Sequence, residues 1–223
     1  MKIYGIPISV HTRKVIIAAR AKDIPYELSA AVPVMPDSLP PDWRRISPTG
    51  LIPAIEDNGF TLADSTAIVH YLERKRPSPP LFPKDDREFA SALFLDAWAG
   101  GSLFRALVHP VFHNEVVAPK IRKVAPDSAA LDRALTHSGP EAFAYLESLA
   151  PKSFLVGDSL SIADLAVVSN LITFQYIGHR IDAARYPRLA AWFDRHLSSP
   201  LMQSVLAAEK AAVDQMGLDR SFL

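Results

Sequence analysis

Ser9 stands in the run Pro7-Ile8-Ser9-Val10-His11-Thr12-Arg13, between a short apolar stretch and the first helix-forming segment. A hydroxyl in that turn lies at the positive end of the helix that follows, where a bound anion is favoured. The next feature is Ile52-Pro53, where a strand begins at a proline. With a cis bond and an exposed edge, the N–H and C=O of Ile52 are left for a peptide-like ligand backbone to pair with. Eleven positions on, Asp64-Ser65 opens a helix. A carboxylate, a hydroxyl and free N–H groups there can hold an ammonium and a carboxylate together, as an amino-acid-like group requires. Each feature also has a purely structural reading: Ser9 as a helix cap, Pro53 as a trans residue at a strand end, Asp64-Ser65 as an ordinary N-cap.

Other chemistry finds less support. No Gly-x-Gly-x-x-Gly, phosphate loop or Gly-x-Ser-x-Gly elbow is present. His109 and His113 have the separation of two metal ligands on a helix, but Pro110 follows the first and no third ligand is evident, so no metal is expected. The chain has no cysteine, which removes thiolate nucleophiles, disulfides and Cys-based metal sites; any thiol in its chemistry comes from a ligand.

The elements that must position these residues fall into two groups. Before residue 76 the pattern reads strand (2–6), helix (12–21), strand (26–31), an irregular or helical stretch, two strands (52–56 and 60–62) around Asp57-Asn58-Gly59, and a helix (65–74). This order implies a small mixed sheet with helices on its faces. Prolines 77, 79, 80 and 83 mark a linker over 77–86. Beyond it only helical spacing recurs, over 87–117, 128–149, 162–176, 187–197 and 200–216, with Pro110 expected to kink the first. Ser161-Ile162-Ala163-Asp164 has the form of a capping box, with Leu160 and Leu165 as its staple, a structural device. The fold class is therefore a mixed α/β domain (1–76) followed by an all-helical one (87–223).

Composition agrees with a folded globular chain: 223 residues, 49% hydrophobic and 22% charged, with 24 basic residues balancing 24 acidic ones. Zero net charge offers no broad field for nucleic acid or anionic lipid. No membrane span and no export signal are read, so a cytoplasmic location is expected.

The conjunction of Ser9 and Arg13, Ile52-Pro53, Asp64-Ser65 and the Ser161–Asp164 motif resembles the soluble glutathione transferases, specifically the serine-type theta-like and phi-like branch, over nearly the whole chain. The resemblance implies a thioredoxin-like N-terminal domain, a helical C-terminal domain, a cytoplasmic homodimer, and glutathione as co-substrate joined to a small hydrophobic electrophile. Ser9 would donate to the glutathione sulfur, Ile52 ahead of Pro53 would pair with the cysteinyl part, and Asp64 and Ser65 would hold the γ-glutamyl end. Tyr4 is a rival donor, but its place in the first strand favours packing. The family usually has Glu at Asp64, Asn at Ser47 and His or Lys at Ser38, with Arg44 or Arg45 as substitutes for holding the glycyl carboxylate. A hydrogen bond to a charged group contributes about 1.5–3 kcal/mol, or roughly one to two pKa units of thiol acidification. The electrophile would lie between the first turn (Val10, His11) and the long helix, where Arg105, Val108, His109 and Phe112 share a face. Glutathione-dependent peroxide reduction, dehalogenation or ether cleavage are chemical variants; a non-catalytic binding module is the alternative from another class.

Overall fold

The computed structural model describes residues 1–149 and 152–223. Its N-terminal part is a four-stranded sheet in the order β2-β1-β3-β4, built from β1 (Lys2–Tyr4), β2 (Glu27–Ser29), β3 (Ala54–Asp57) and β4 (Phe60–Ala63). β1 and β2 run parallel, with α1 (Val10–Ala21) as the crossover, whereas β3 is antiparallel to both β1 and β4. Asn58 and Gly59 turn the β3–β4 hairpin at φ values of 51° and 83°, the left-handed pair that a two-residue connection demands. Strand alternation sends Ile3 and Ile55 into the core beneath α1 and α3 (Ser65–Lys75), and sends Tyr4 and Ala54 to the other face against Trp43 and Ile46 of α2 (Trp43–Ile46).

Register then places the functional segments. Tyr4 pairs with Ala54, and Ala54 with Ala63. The chain leaving β1, the chain entering β3 and the chain leaving β4 therefore meet at one end of the sheet. Pairing of β3 starts at Ala54, two residues later than the sequence pattern predicts, because Pro53 has no N–H to give to the ladder.

The helical part comprises α4 (Asp86–Trp98), α5 (His109–Phe112), α6 (Ser128–Arg133), α7 (Gly139–Ser148), α8 (Ile162–Tyr176), α9 (Pro187–Leu197) and α10 (Pro200–Gln215). Every residue of α8 is buried, as an all-round apolar helix must be, and it packs on α1, α4 and α5. The first long helix changes its winding along its length. Right-handed helical dihedrals persist on both sides of Pro110, at Val108, His109, Phe112 and His113, and two π-wound stretches, Ala99–Val108 and His113–Arg122, flank α5. Pro110 gives no N–H to the ladder, and a second proline, Pro119, lies inside the later π-wound stretch. The Asn114 side-chain amide takes the Pro110 carbonyl at 2.9 Å. The architecture is a thioredoxin-like domain joined to an all-helical one. No helix among the described residues is long and apolar enough to cross a membrane.

Candidate active site

Ser9 is the N-cap of α1, extended at φ −68° and ψ 128°, and its Oγ accepts the Thr12 N–H at 3.4 Å. Its backbone is also engaged, the N–H with the Ile6 carbonyl at 3.1 Å and the C=O with the Arg13 N–H at 2.8 Å. The hydroxyl proton has no acceptor among the described residues. Ser9 is thus a cap and a free donor at once. Neither α1 nor α3 carries an acidic residue in its first turn, and at this end of the sheet α1 is capped by a neutral serine while α3 is capped by the Asp64 carboxylate.

The Ile52–Pro53 bond is cis, and neither the N–H nor the C=O of Ile52 has a backbone partner among the described residues. Asp64 caps α3 with Oδ1, accepting from Thr66 N at 2.9 Å and Ala67 N at 3.0 Å. It does so at φ 79° and ψ 125°, a conformation that L residues avoid and that costs on the order of 1–3 kcal/mol. Such strain persists where the surroundings over-determine it, and it gathers at ligand clamps. Asp64 is exposed and Ser65 beside it is buried.

Beneath these groups lies a charged knot that the sequence reading missed. Lys14 of α1 is 3% exposed and its ammonium meets the Asp96 carboxylate of α4, itself 1% exposed. Lys14 also donates to Thr66 Oγ1 at 2.9 Å, and Thr66 donates to Asp96 Oδ2 at 2.6 Å, tying α1, α3 and α4 together. Burial lowers the pKa of the Lys14 ammonium, with Asp96 opposing it. A basic residue inside an apolar helix and an acid inside another were the available signal.

His11 packs edge-on to Phe104, with ring centroids 4.7 Å apart. Burial, with the Lys14 charge adding to it, pulls the His11 pKa down to about 4, while Asp64 and Asp96 act the other way. The imidazole is neutral at neutral pH. Rings continue from Phe104 to His109 at 5.6 Å and from His109 to a stacked His113 at 5.7 Å. Among the described residues no group of three or more His, Asp or Glu could hold a metal ion.

Profiles of two families match, "Glutathione S-transferase, N-terminal domain" over residues 3–80 and "Glutathione S-transferase, C-terminal domain" over residues 116–195. Human glutathione S-transferase theta-1 is 32% identical across 87% of this chain and 81% of its own length. The chain belongs to the glutathione S-transferase family. A wheat (Triticum aestivum) glutathione S-transferase is 29% identical across 92% of both chains. The apo form of human glutathione S-transferase T1-1 superposes with a TM-score of 0.83 at 26% identity, covering 96% of this chain and 90% of that one. A glutathione S-transferase from Rhodospirillum rubrum F11 does so with a TM-score of 0.83 at 25% identity, covering 92% and 91%.

Within this transferase several expected residues stand differently from the sequence reading. Val10 and Val108 are 5% and 0% exposed and belong to the core, so neither side chain is open to a bound electrophile. Arg105 and His109 are exposed and Phe112 is half-buried, because the helical face divides between core and solvent. Ser38 spends its hydroxyl within its own loop, on the Val32 and Met35 carbonyls at 3.2 and 2.7 Å. Tyr4 is turned from the cleft, donating to Glu56 at 2.9 Å and packing on Trp43. Arg44 donates to the Pro48 carbonyl at 3.1 Å and lies across Gly50, where a Cβ would come within 2.8 Å of the guanidinium. Arg45 faces Asp42 at 3.8 Å.

Proposed function

We propose that this glutathione transferase lowers the thiol pKa of bound glutathione through the Ser9 hydroxyl and presents the thiolate to a small hydrophobic electrophile. The observation that carries this reading is the uncommitted proton of Ser9: its oxygen already accepts the Thr12 N–H, which strengthens the hydroxyl as a donor, at the positive end of α1. The cysteinyl backbone pairs with Ile52 at Pro53, and the γ-glutamyl ammonium and carboxylate meet Asp64 and Ser65. For the glycyl carboxylate, Arg44 is better disposed than Ser38, whose hydroxyl is occupied. Sulfur attacks the electrophilic carbon as its proton departs to solvent and the leaving group takes the electron pair. The electrophile rests against His11, Phe104, Arg105, His109 and Phe112, with Val10 and Val108 behind them. Residues 1–76 supply the glutathione half of the site and 87–223 the electrophile half, across the 77–86 linker.

The enzyme acts as a cytoplasmic homodimer in this reading, in a detoxifying role. Support for a second copy comes from the outer face of α4, where Phe94 is 56% exposed beside an apolar groove that Tyr145, Leu149, Leu155 and Val156 help to line. A monomeric mass at micromolar concentration would count against it. The activity is tested by retention on immobilised glutathione and turnover of a chloronitroaromatic substrate. Wild type is retained and turns over, and Ser9→Ala is retained with most turnover lost; undiminished turnover in Ser9→Ala would refute the role of Ser9. Absence of retention in both would favour a non-catalytic module.

A further inference from the structure

Four residues beyond Ser9, Arg13 points away from the cleft and is 0% exposed. All five of its N–H donors are used. Nε and Nη2 grip the two oxygens of Glu209 on α10 at 2.7 and 3.0 Å, Nη1 gives to the Ser169 carbonyl at 2.8 Å and to Thr173 Oγ1 at 2.7 Å, and Nη2 reaches the Ile8 carbonyl at 3.3 Å. Thr173 Oγ1 gives its own proton to the same Ile8 carbonyl at 3.3 Å. The Tyr176 ring lies under the guanidinium, 5.4 Å from its centroid. Glu209 is 1% exposed, so the pair is shut from water.

Stability alone does not call for such a pair, since apolar residues of like volume are often equally stable or more so. What the pair does add is geometry. The Ile8 carbonyl belongs to the peptide unit whose nitrogen is that of Ser9, and it receives two donors from behind, one from α1 and one from α8. The contact that reaches Ser9 is geometric: Arg13 Nη2 and Thr173 Oγ1 both end on the Ile8 carbonyl. Resting on the reading of Ser9 given above, we propose that Arg13 and Thr173, braced by Glu209, are positioning residues that fix the Ile8–Ser9 peptide, so that C-terminal helix α10 sets the aim of the Ser9 hydroxyl at the sulfur.

The test compares the thiol pKa of bound glutathione, read from thiolate absorption, and the glutathione Kd in wild type, Ser9→Ala, Thr173→Val, Thr173→Ser and Thr173→Ala. Thr173→Val deletes one donor to the Ile8 carbonyl; the pKa is expected to rise by about half a unit, a fraction of the one to two units that a full charged hydrogen bond supplies, with Kd within about twofold. Thr173→Ser restores the wild-type value, which a packing role for the β-branched methyl would not. Thr173→Ala deletes the same donor and shifts the pKa in the same direction, and it serves should Thr173→Val fail to fold. If Ser9→Ala raises the pKa while Thr173→Val and Thr173→Ala leave it unchanged, or alter only Kd or stability, the positioning role is overturned and the Ser9 reading stands. If Ser9→Ala itself leaves the pKa unmoved, the Ser9 reading fails first.

Discussion

Ser9 and Ser161 both cap helices in this chain, and they differ in what they leave unused. Ser161, ahead of α8, is 1% exposed and gives both its N–H and its hydroxyl to Asp164 Oδ2, at 2.9 and 3.0 Å. Asp164 also accepts from Leu155 N at 2.8 Å and Trp192 Nε1 at 3.3 Å, so the centre is saturated and dry. Ser9, ahead of α1, is half-buried, accepts one N–H and keeps its proton. The same residue type at the same helix position thus serves folding in one place and leaves a donor for a ligand in the other. Spare hydrogen-bonding capacity, beside strained Asp64 and an Ile52 backbone with no backbone partner among the described residues, distinguishes the candidate site.

Substitutions should separate the two regions cleanly. Asp164→Ala strands four donors in a dry centre and is expected to reduce unfolding free energy by about 3–5 kcal/mol in urea titration, with the thiol pKa of the folded fraction unchanged. Loss of the reverse kind would erase the contrast between the serines. Acid acts next, through His11. Its folded pKa of about 4 lies below the unfolded value near 6.5, so between them the unfolded chain binds the extra proton. Stability therefore falls as pH drops from about 6.5 to about 4, by up to roughly 3 kcal/mol, and His11→Gln should flatten that part of the curve in calorimetric scans.

Smaller effects sharpen the active half. Ser9→Ala should lower kcat/KM by roughly 10- to 100-fold at neutral pH, the size of one charged hydrogen bond, while costing about 1 kcal/mol of stability as a lost cap. Asp64→Asn keeps the cap geometry and removes the charge; KM for glutathione should rise about five- to tenfold with kcat within about twofold, by steady-state kinetics. A fall in kcat alone would place Asp64 outside glutathione binding.

Local chemistry explains what the sequence disclosed. The hairpin was legible at Asn58-Gly59 because only a left-handed pair closes a two-residue loop, and the α8 cap at Ser161 and Asp164 because its partners are three residues apart. The same locality exposed Ser9, Pro53 and Asp64-Ser65 as candidates, each readable from its own neighbours. Arg13 with Glu209 and Lys14 with Asp96 were not legible as pairs, since 196 and 82 positions separate them and only the packed domains bring them together. Periodicity likewise placed the long helix but not its two π-wound stretches, one on each side of Pro110 and the second with Pro119 inside it. Val108 fell on the predicted cleft face because spacing alone does not say where a helical face passes from solvent into core.

The most direct measurement is a spectroscopic titration of the thiolate of glutathione bound to the wild-type protein. Donation from Ser9 at the α1 terminus predicts a pKa about one to two units below that of the free tripeptide in the same buffer. A bound thiol that ionises at the pKa of the free tripeptide would contradict the account.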